Sequence, residues 1–357
     1  MKIFLNAYIA QNLGDDLFLD ILLKRYSKHE FYAISQFANN YNYSNLHIFS
    51  NKYIYKIIKK FNLSKYIANH FDMVVTIGGS MFMEKETSHS DLTLGKNDRY
   101  ILGVNFGPYK TQEFFNSATY AFSKCKDVCF REKYSYDLFK DLPNVRYAPD
   151  IAFGLDKSKL KITNRKRAIV SVISSKFKLN ELNKNLGKSS EKYTNVYEDK
   201  MVNLVNRLVE KDGYEVLLLS MCENQGDNEV VKSIYARTSF KAREKIETYN
   251  YNGNIDEVLN LFADSSLIIG SRFHANIIGM VLGKPIIPFI YSDKMTHVID
   301  DILENNKNDT PLMVDIRYMD TFDIDSITQE DLTRVVDISD FDGHTEDAFR
   351  ELDKILL

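Results

Sequence analysis

The sequence predicts an α/β protein made of two successive parallel-sheet units. Short apolar runs of strand length alternate with longer segments whose apolar residues return at helical spacing, and the alternation holds through both halves. The charged stretch Asp156–Arg167 (DKSKLKITNRKR) is poor in apolar residues and reads as a linker between the halves. A chain of 357 residues is also long enough that two domains are expected. The expected boundaries are 1–155 for an N-terminal domain and 168–335 for a C-terminal one. Residues 336–357 form a terminal segment whose helix can pack back on the first domain.

The N-terminal half opens with a strand over Lys2–Tyr8 and a turn over Ile9–Gly14. Asp15 and Asp16 then start a helix carrying Leu17, Leu19, Ile21, Leu22 and Leu23, where acids satisfy the first N–H groups and the dipole. Asn12 and Gly14 are candidates for lining a ligand cleft, since glycine lets a backbone approach closely. A strand is expected at Phe31–Ile34 and another at Asp72–Ile77, which runs into Gly78-Gly79-Ser80. Glycines there expose N–H groups suited to an anion. The pattern is not a full G-x-G-x-x-G, so a dinucleotide fingerprint is not supported. Polar Glu84–Asp98 reads as an exposed loop, Tyr100–Phe106 as a strand and Thr111–Ser123 as a helix. Val128–Phe130 is a short strand leading to Arg131 at the start of a helix over Lys133–Lys140, and Pro149-Asp150 closes the half.

In the second half, Ala168–Ile173 and Tyr214–Ser220 read as buried strands, and Lys200–Val209, Asn224–Ala236 and Ile255–Ala263 as helices. Polar Ser174–Ser190 reads as a mobile loop. It holds Gly187-Lys188-Ser189, but Leu182 stands where a phosphate-binding loop needs glycine. Leu267–Ile290 is the centre of this half. Leu267–Ile269 end a strand, and Ser271 is a candidate helix cap. Ile277, Ile278, Val281 and Leu282 give a helix its apolar face, and Gly283-Lys284-Pro285 stop it. Arg272 and His274 stand two apart where an extended backbone enters the helix, so both can face one small space. Strand carboxyl ends are where open α/β sheets bind ligands, and a helix start favours an anion. The plain alternative is an arginine and a histidine solvating a surface turn. The last helix is expected over Glu346–Leu357, with Phe349, Leu352, Ile355 and Leu356 on one face.

Composition narrows the classes of function. Hydrophobic residues make up 44% and charged ones 27%, the balance of a soluble globular protein. A net charge of −3 with dispersed basic residues argues against a nucleic-acid partner. Cys125, Cys129 and Cys222 lack the number and spacing of a disulfide framework or zinc site and read as reduced thiols. His29, His47, His70, His89 and His344 show no ligand spacing, so no metal and no cofactor is expected. The N-terminus (MKIFLNAYIAQNLGDD) looks like a first strand rather than a leader, and no window nears the roughly 20 apolar residues of a membrane span. A cytoplasmic protein is expected, with any membrane contact peripheral. Lys52–Lys65 (KYIYKIIKKFNLSK) sets Tyr53, Ile54, Ile57, Ile58 and Phe61 against Lys52, Lys56, Lys59 and Lys60. That fits an interfacial helix. It also fits a helix packed on a sheet, which is the commoner arrangement.

The stretch SRFHANIIGMVLGKPIIPFIYSDK strongly resembles the C-terminal signature of the polysaccharide pyruvyltransferases, in which an S-R-x-H turn opens a helix followed by Gly-x-Pro and a strand. NLGDDLFLD resembles that family's N-terminal Gly-Asp loop and VVTIGGSMF its Gly-rich turn. FREKYSYDLF and PDIAF resemble its Arg-Glu-x-x-Ser and Pro-Asp pair. Ser80 stands where another Gly is common, and Tyr291-Ser292-Asp293 replaces a Tyr-Asp-Pro-like run. The resemblance implies two Rossmann-like domains facing a cleft, the GT-B arrangement. It also implies transfer of a pyruvyl group from phosphoenolpyruvate to two hydroxyls of a sugar in a capsule, exopolysaccharide or cell-wall polymer, giving a ketal. The acceptor can be lipid-linked. Under that reading Arg131 and Arg272 hold the doubly charged donor, helped by N–H groups around Phe273 and by Lys294. His274 transfers the proton, as acid toward the donor or base toward a hydroxyl. Gly78 and Gly79 line the site. Asp15 and Asp150 are candidates for acceptor binding or base work, with capping and turn bonds as their structural role. His297 reads as a surface residue. The alternatives are a sugar-nucleotide glycosyltransferase of the same fold, which often needs a carboxylate on the ribose where this chain has none between Arg272 and Asp293, and a non-catalytic scaffold in polysaccharide assembly.

Overall fold

The computed structural model describes residues 1–37, 41–61, 63–84, 98–163, 165–174, 190–304, 310–342 and 344–357. The expected loops at Glu84–Asp98 and Ser174–Ser190 fall largely outside the described residues, as do His89 and Gly187-Lys188-Ser189. The chain forms two units. One comprises Met1–Ala10, Asp15–Leu155 and Asp340–Leu357; the other comprises Gln11–Gly14 and Asp156–Ser339.

In the first unit the strands are β1 (Lys2–Asn6), β2 (Glu30–Ser35), β3 (Leu46–Ser50), β4 (Met73–Ile77), β5 (Asp98–Val104), β6 (Asp127–Phe130) and β7 (Val145–Tyr147). They make one sheet in the order β3-β2-β1-β4-β5-β6-β7, and every pairing is parallel. Chain order reverses direction between β1 and β4, which makes their carboxyl ends the switch point. β4 is buried at every residue, as a central parallel strand covered on both faces must be. On one side Phe106, Phe114, Phe122, Phe130 and Phe139 fill the core beneath helix Gln112–Ser123. Thr111 caps that helix by accepting from the Phe114 N–H at 3.2 Å.

The second unit repeats the design. Strands β8 (Arg167–Val172), β9 (Glu215–Ser220), β10 (Ile246–Asn250), β11 (Leu267–Gly270), β12 (Ile286–Ile290) and β13 (Val314–Asp315) run parallel in the order β10-β9-β8-β11-β12-β13. The switch point lies between β8 and β11. Helix Ser190–Glu210 buries Met201, Leu204, Val205 and Leu208 in the same core as β8, β9 and β11.

Four strands carried no visible sequence signal, namely β3, β7, β10 and β13. All four are sheet edges. An edge strand can leave its side chains in water, as the burial of β3 and β10 shows, so apolar periodicity is weak there. Other differences have local causes. The helix expected over Asn224–Ala236 is broken at Gly226, whose φ of 84° is left-handed; a 3-10 turn (Glu223–Gln225) precedes it and helix Asp227–Arg237 follows. Arg167 is not part of an exposed linker but lies in β8, buried, with its guanidinium 3.1 Å from Glu247. The helix from Lys52 ends at Lys60, and a short second one covers Ser64–Ala68.

The C-terminal segment belongs to the first unit. A 3-10 turn (Thr345–Phe349) leads into helix Arg350–Leu356. Phe349, Leu352 and Leu356 are buried, whereas Ile355, expected on the same face, is 44% exposed. Asp353 accepts from Arg25 Nε at 2.9 Å, Arg25 Nη2 at 2.7 Å and the Tyr26 hydroxyl at 2.8 Å.

Candidate functional site

In the second unit, β11 ends at the switch point and the chain turns sharply. Gly270 has no room for a side chain, because a Cβ there would stand 2.3 Å from Asn276 Oδ1. Asn276, one turn into helix Phe273–Val281, donates its amide to the Gly270 carbonyl at 2.9 Å and so fixes the approach to the helix. Ser271 is not the cap. Its N–H donates to Ser171 O on β8, and its hydroxyl meets the buried Tyr197 hydroxyl at 2.9 Å. Arg272 occupies the cap position with an extended backbone and provides no side-chain cap.

Arg272 is 6% exposed, and its fork is taken. Nε donates to Asp227 Oδ2 at 2.8 Å and Nη1 to Gln225 Oε1 at 2.7 Å, while Nη2 meets Asp227 Oδ1. Asp227, wholly buried, also accepts the N–H groups of Ser174 and Cys222, each at 3.1 Å. Burial works against the guanidinium charge, but Asp227 outweighs it and raises the Arg272 pKa further above its ordinary value. Arg272 thus ties the carboxyl ends of β8, β9 and β11 together.

His274, half-buried in the first turn, lies across Gly14. A Cβ on Gly14 would fall 1.8 Å from His274 Nδ1. The segment Gln11–Gly14 is held in this unit by Leu13 N–H donating to Met221 O at 3.1 Å and by Gln11 Nε2 donating to Asn252 O at 3.3 Å. Gln11 has a φ of 48°. Asn12 sits in this segment, half-buried. The Phe273 ring stands edge-on to the imidazole at 5.0 Å. Beside the turn is a small, half-open pocket lined by Ser271, Phe273, Asn276, Phe289, Tyr291 and Lys294. Lys294 begins helix Lys294–Ile302, and His297 is half-buried within it rather than on the open surface.

The first unit has its own polar turn. Gly78 follows β4 with a φ of 141°, and Asp15 Oδ1 lies 3.6 Å from where its Cβ would be. Gly79 leaves space for Arg131, whose Nη2 would be 2.8 Å from a Cβ there. Arg131 follows β6, is 4% exposed, and donates to Asp150 Oδ2 at 2.7 Å and Asn105 Oδ1 at 2.9 Å. Asp150 also caps its own turn, accepting from Ala152 N–H at 2.9 Å. Ser80 Oγ donates to Asn105 Oδ1 at 3.2 Å. Ser135 donates to Glu132 at 2.7 Å and accepts Phe106 N–H at 2.8 Å, which explains the Arg-Glu-x-x-Ser spacing as a turn lock.

The structure therefore groups Gly14, Asn12, Arg272, Phe273, His274 and Lys294 in the second unit. It groups Asp15, Gly78, Gly79, Arg131 and Asp150 in the first. One expectation needs correction: neither arginine offers an open fork to a dianion, because each is buried against an internal carboxylate. Asp227, Gln225, Asn276 and Asn105 went unforeseen. Asp227 stands after a glycine at a helix start, where an acid ordinarily reads as a cap.

Two Rossmann-like sheets in one chain, each with a polar turn at its switch point, define a protein of the GT-B class. The chain belongs to the polysaccharide pyruvyl transferase family, whose profile matches residues 12–293. The amylovoran biosynthesis protein AmsJ of Erwinia amylovora is 25% identical over 256 residues, a match spanning 65% of this chain and 60% of AmsJ. Among solved structures, the UDP-GlcNAc 2-epimerase of Methanocaldococcus jannaschii in complex with UDP-GlcNAc and UDP is similar with a TM-score of 0.63 at 10% identity, covering 99% of this chain and 98% of the other. HepE of Anabaena in complex with UDP and glucose is similar with a TM-score of 0.56 at 11% identity and the same coverage. At these identities the likeness is one of fold.

Proposed function

We propose that this protein transfers a pyruvyl group from phosphoenolpyruvate to two hydroxyls of one sugar in a cell-surface polysaccharide or its precursor. The product is a cyclic ketal, and phosphate leaves. The observation that carries the reading is the Ser271–His274 turn: a histidine in the first turn of a helix at a sheet's switch point, beside a small pocket lined by Phe273 and Lys294. Family membership supplies the class of reaction.

The chemistry asks for three things. Phosphate and carboxylate need positive groups, which the helix start and Lys294 supply. A proton must reach the methylene carbon, making the adjacent carbon electrophilic, and His274 is assigned that transfer. One hydroxyl then adds to that carbon. The second displaces phosphate, so donor and diol yield ketal and phosphate with no oxidant or further reactant. Arg272 and Arg131 are positioning residues in this account, holding the two turns in shape through Asp227 and Asp150.

A glycosyltransferase using a sugar nucleotide is the second reading, favoured by the UDP held in the similar structures. A polymer precursor isolated from a deletion strain and incubated with phosphoenolpyruvate in heavy water separates the two. Pyruvyl transfer predicts a mass gain of one pyruvate less water, with one deuterium in the new methyl group. No pyruvate-sized gain with phosphoenolpyruvate, beside a gain of one sugar residue when a nucleotide sugar is supplied instead, contradicts it.

A further inference from the structure

Helix Lys52–Lys60 of the first unit has an apolar face that the fold leaves in water. Tyr53, Ile54, Ile57 and Phe61 follow the i, i+1, i+4, i+8 spacing of one face, and they are 78%, 39%, 51% and 62% exposed. A helix lying flat on a sheet would bury these residues. Here only Ile58, at the edge of the arc, is buried, at 7% exposure. Tyr66, in the short helix that follows, is 57% exposed. A cluster of large apolar side chains on one face marks an interaction site rather than ordinary surface.

Along this stretch of chain the formal charges are all of one sign. From Phe31 to Phe71 the chain contains no Asp or Glu, although the protein as a whole carries a net charge of −3. Lys52, Lys56 and Lys60 are exposed beside the apolar arc. Lys60 Nζ stands 5.7 Å from the Phe61 ring and Lys65 Nζ 4.9 Å from the Tyr66 ring. Lysines flanking exposed aromatic and branched side chains match an interface whose outer layer is anionic and whose next layer is hydrocarbon. A second copy of the chain would set this lysine array against itself, where like charges oppose contact. Among the described residues no helix is long and apolar enough to cross a membrane, so contact through this face would be peripheral.

We infer that the Tyr53–Phe61 face docks on the surface of a bilayer containing anionic phospholipid. The inference stands apart from the proposed transfer reaction, since it rests on other residues and a binding measurement.

The test is co-sedimentation of the full chain with phosphatidylglycerol-containing vesicles and with pure phosphatidylcholine vesicles, at low and high salt. The wild type is expected to pellet with the anionic vesicles and to be released by salt. Ile57→Ser with Phe61→Ser should weaken binding at least tenfold, by the apolar area withdrawn. Lys56→Gln with Lys60→Gln should weaken it about fivefold per charge at low salt. Circular dichroism checks that both variants fold. Failure of the wild type to pellet with anionic vesicles overturns the inference, as does equal binding by the variants. Concentration-dependent dimers abolished by the serine pair, without vesicle binding, would assign the face to a second copy and also overturn it.

Discussion

The guanidinium of Arg272 lies on the carboxylate of Asp227, with Nε 2.8 Å from Oδ2 and both side chains buried. The pair holds the Ser271–His274 turn to the start of helix Asp227–Arg237. Removing one partner leaves the other charged and unpaired inside the protein. Asp227→Ala is therefore expected to cost about 3–5 kcal/mol of stability, read as a lowered denaturant midpoint. It also strips the acceptor from the Ser174 and Cys222 N–H groups. Arg272→Lys keeps the charge but cannot span Asp227 and Gln225 together, so it should fold and lose most of its transfer rate.

Gly14 tests the placement of His274 without touching the imidazole itself. Gly14→Ala puts a methyl group where the ring now lies and must displace it. A shift of about 1 Å in a reacting group can cost roughly 100-fold in rate, and a loss of that order is expected in kcat with KM for the donor less changed. A variant with full kcat would show that the ring is not needed where it stands.

The cysteines offer a check on the core. Burial pushes the Cys125 thiol up to about 11 and the Cys129 thiol up to about 12. Thiolate, the reactive form, is then scarce at pH 8. Native protein should alkylate slowly with iodoacetamide at both positions, and protein unfolded in guanidinium should alkylate at all three cysteines. Rapid labelling of native Cys125 would contradict the packing of helix Gln112–Ser123.

How much of this was legible beforehand follows from where the signals lie. The Ser271–His274 turn was readable because strand, turn and helix are contiguous and each obeys local chemistry. The Arg131 and Asp150 motifs were both visible, but their pairing was not, because the sequence does not say that β6 and β7 lie side by side. Asp227 was invisible for the same reason, standing far from Arg272 in the chain. The exposed face at Tyr53–Phe61 shows the limit of periodicity: the pattern gave an amphipathic helix but not the side it turns to the protein.

The C-terminal helix should loosen in acid. Burial alone would raise the Asp353 pKa, but Arg25 and Tyr26 bonds overcome it and hold the folded value below the ordinary one. A depressed carboxylate contributes stability that is complete above its unfolded pKa, about 3.9, and is lost as pH falls through the lower folded value. Hydrogen exchange in Arg350–Leu356, taken relative to its intrinsic rate at each pH, should therefore quicken below pH 4. Asp353→Asn should quicken it already at pH 7, by about 1.5–3 kcal/mol of lost charged hydrogen bonding. Protection independent of pH and of this substitution would remove Asp353 as the anchor.

Calorimetric titration of the wild-type chain with phosphoenolpyruvate, and separately with UDP, tests the donor assignment most directly. The account predicts saturable heat with phosphoenolpyruvate, reduced at least tenfold in affinity by Lys294→Ala, and none with UDP. Saturable binding of UDP with no response to phosphoenolpyruvate would contradict it.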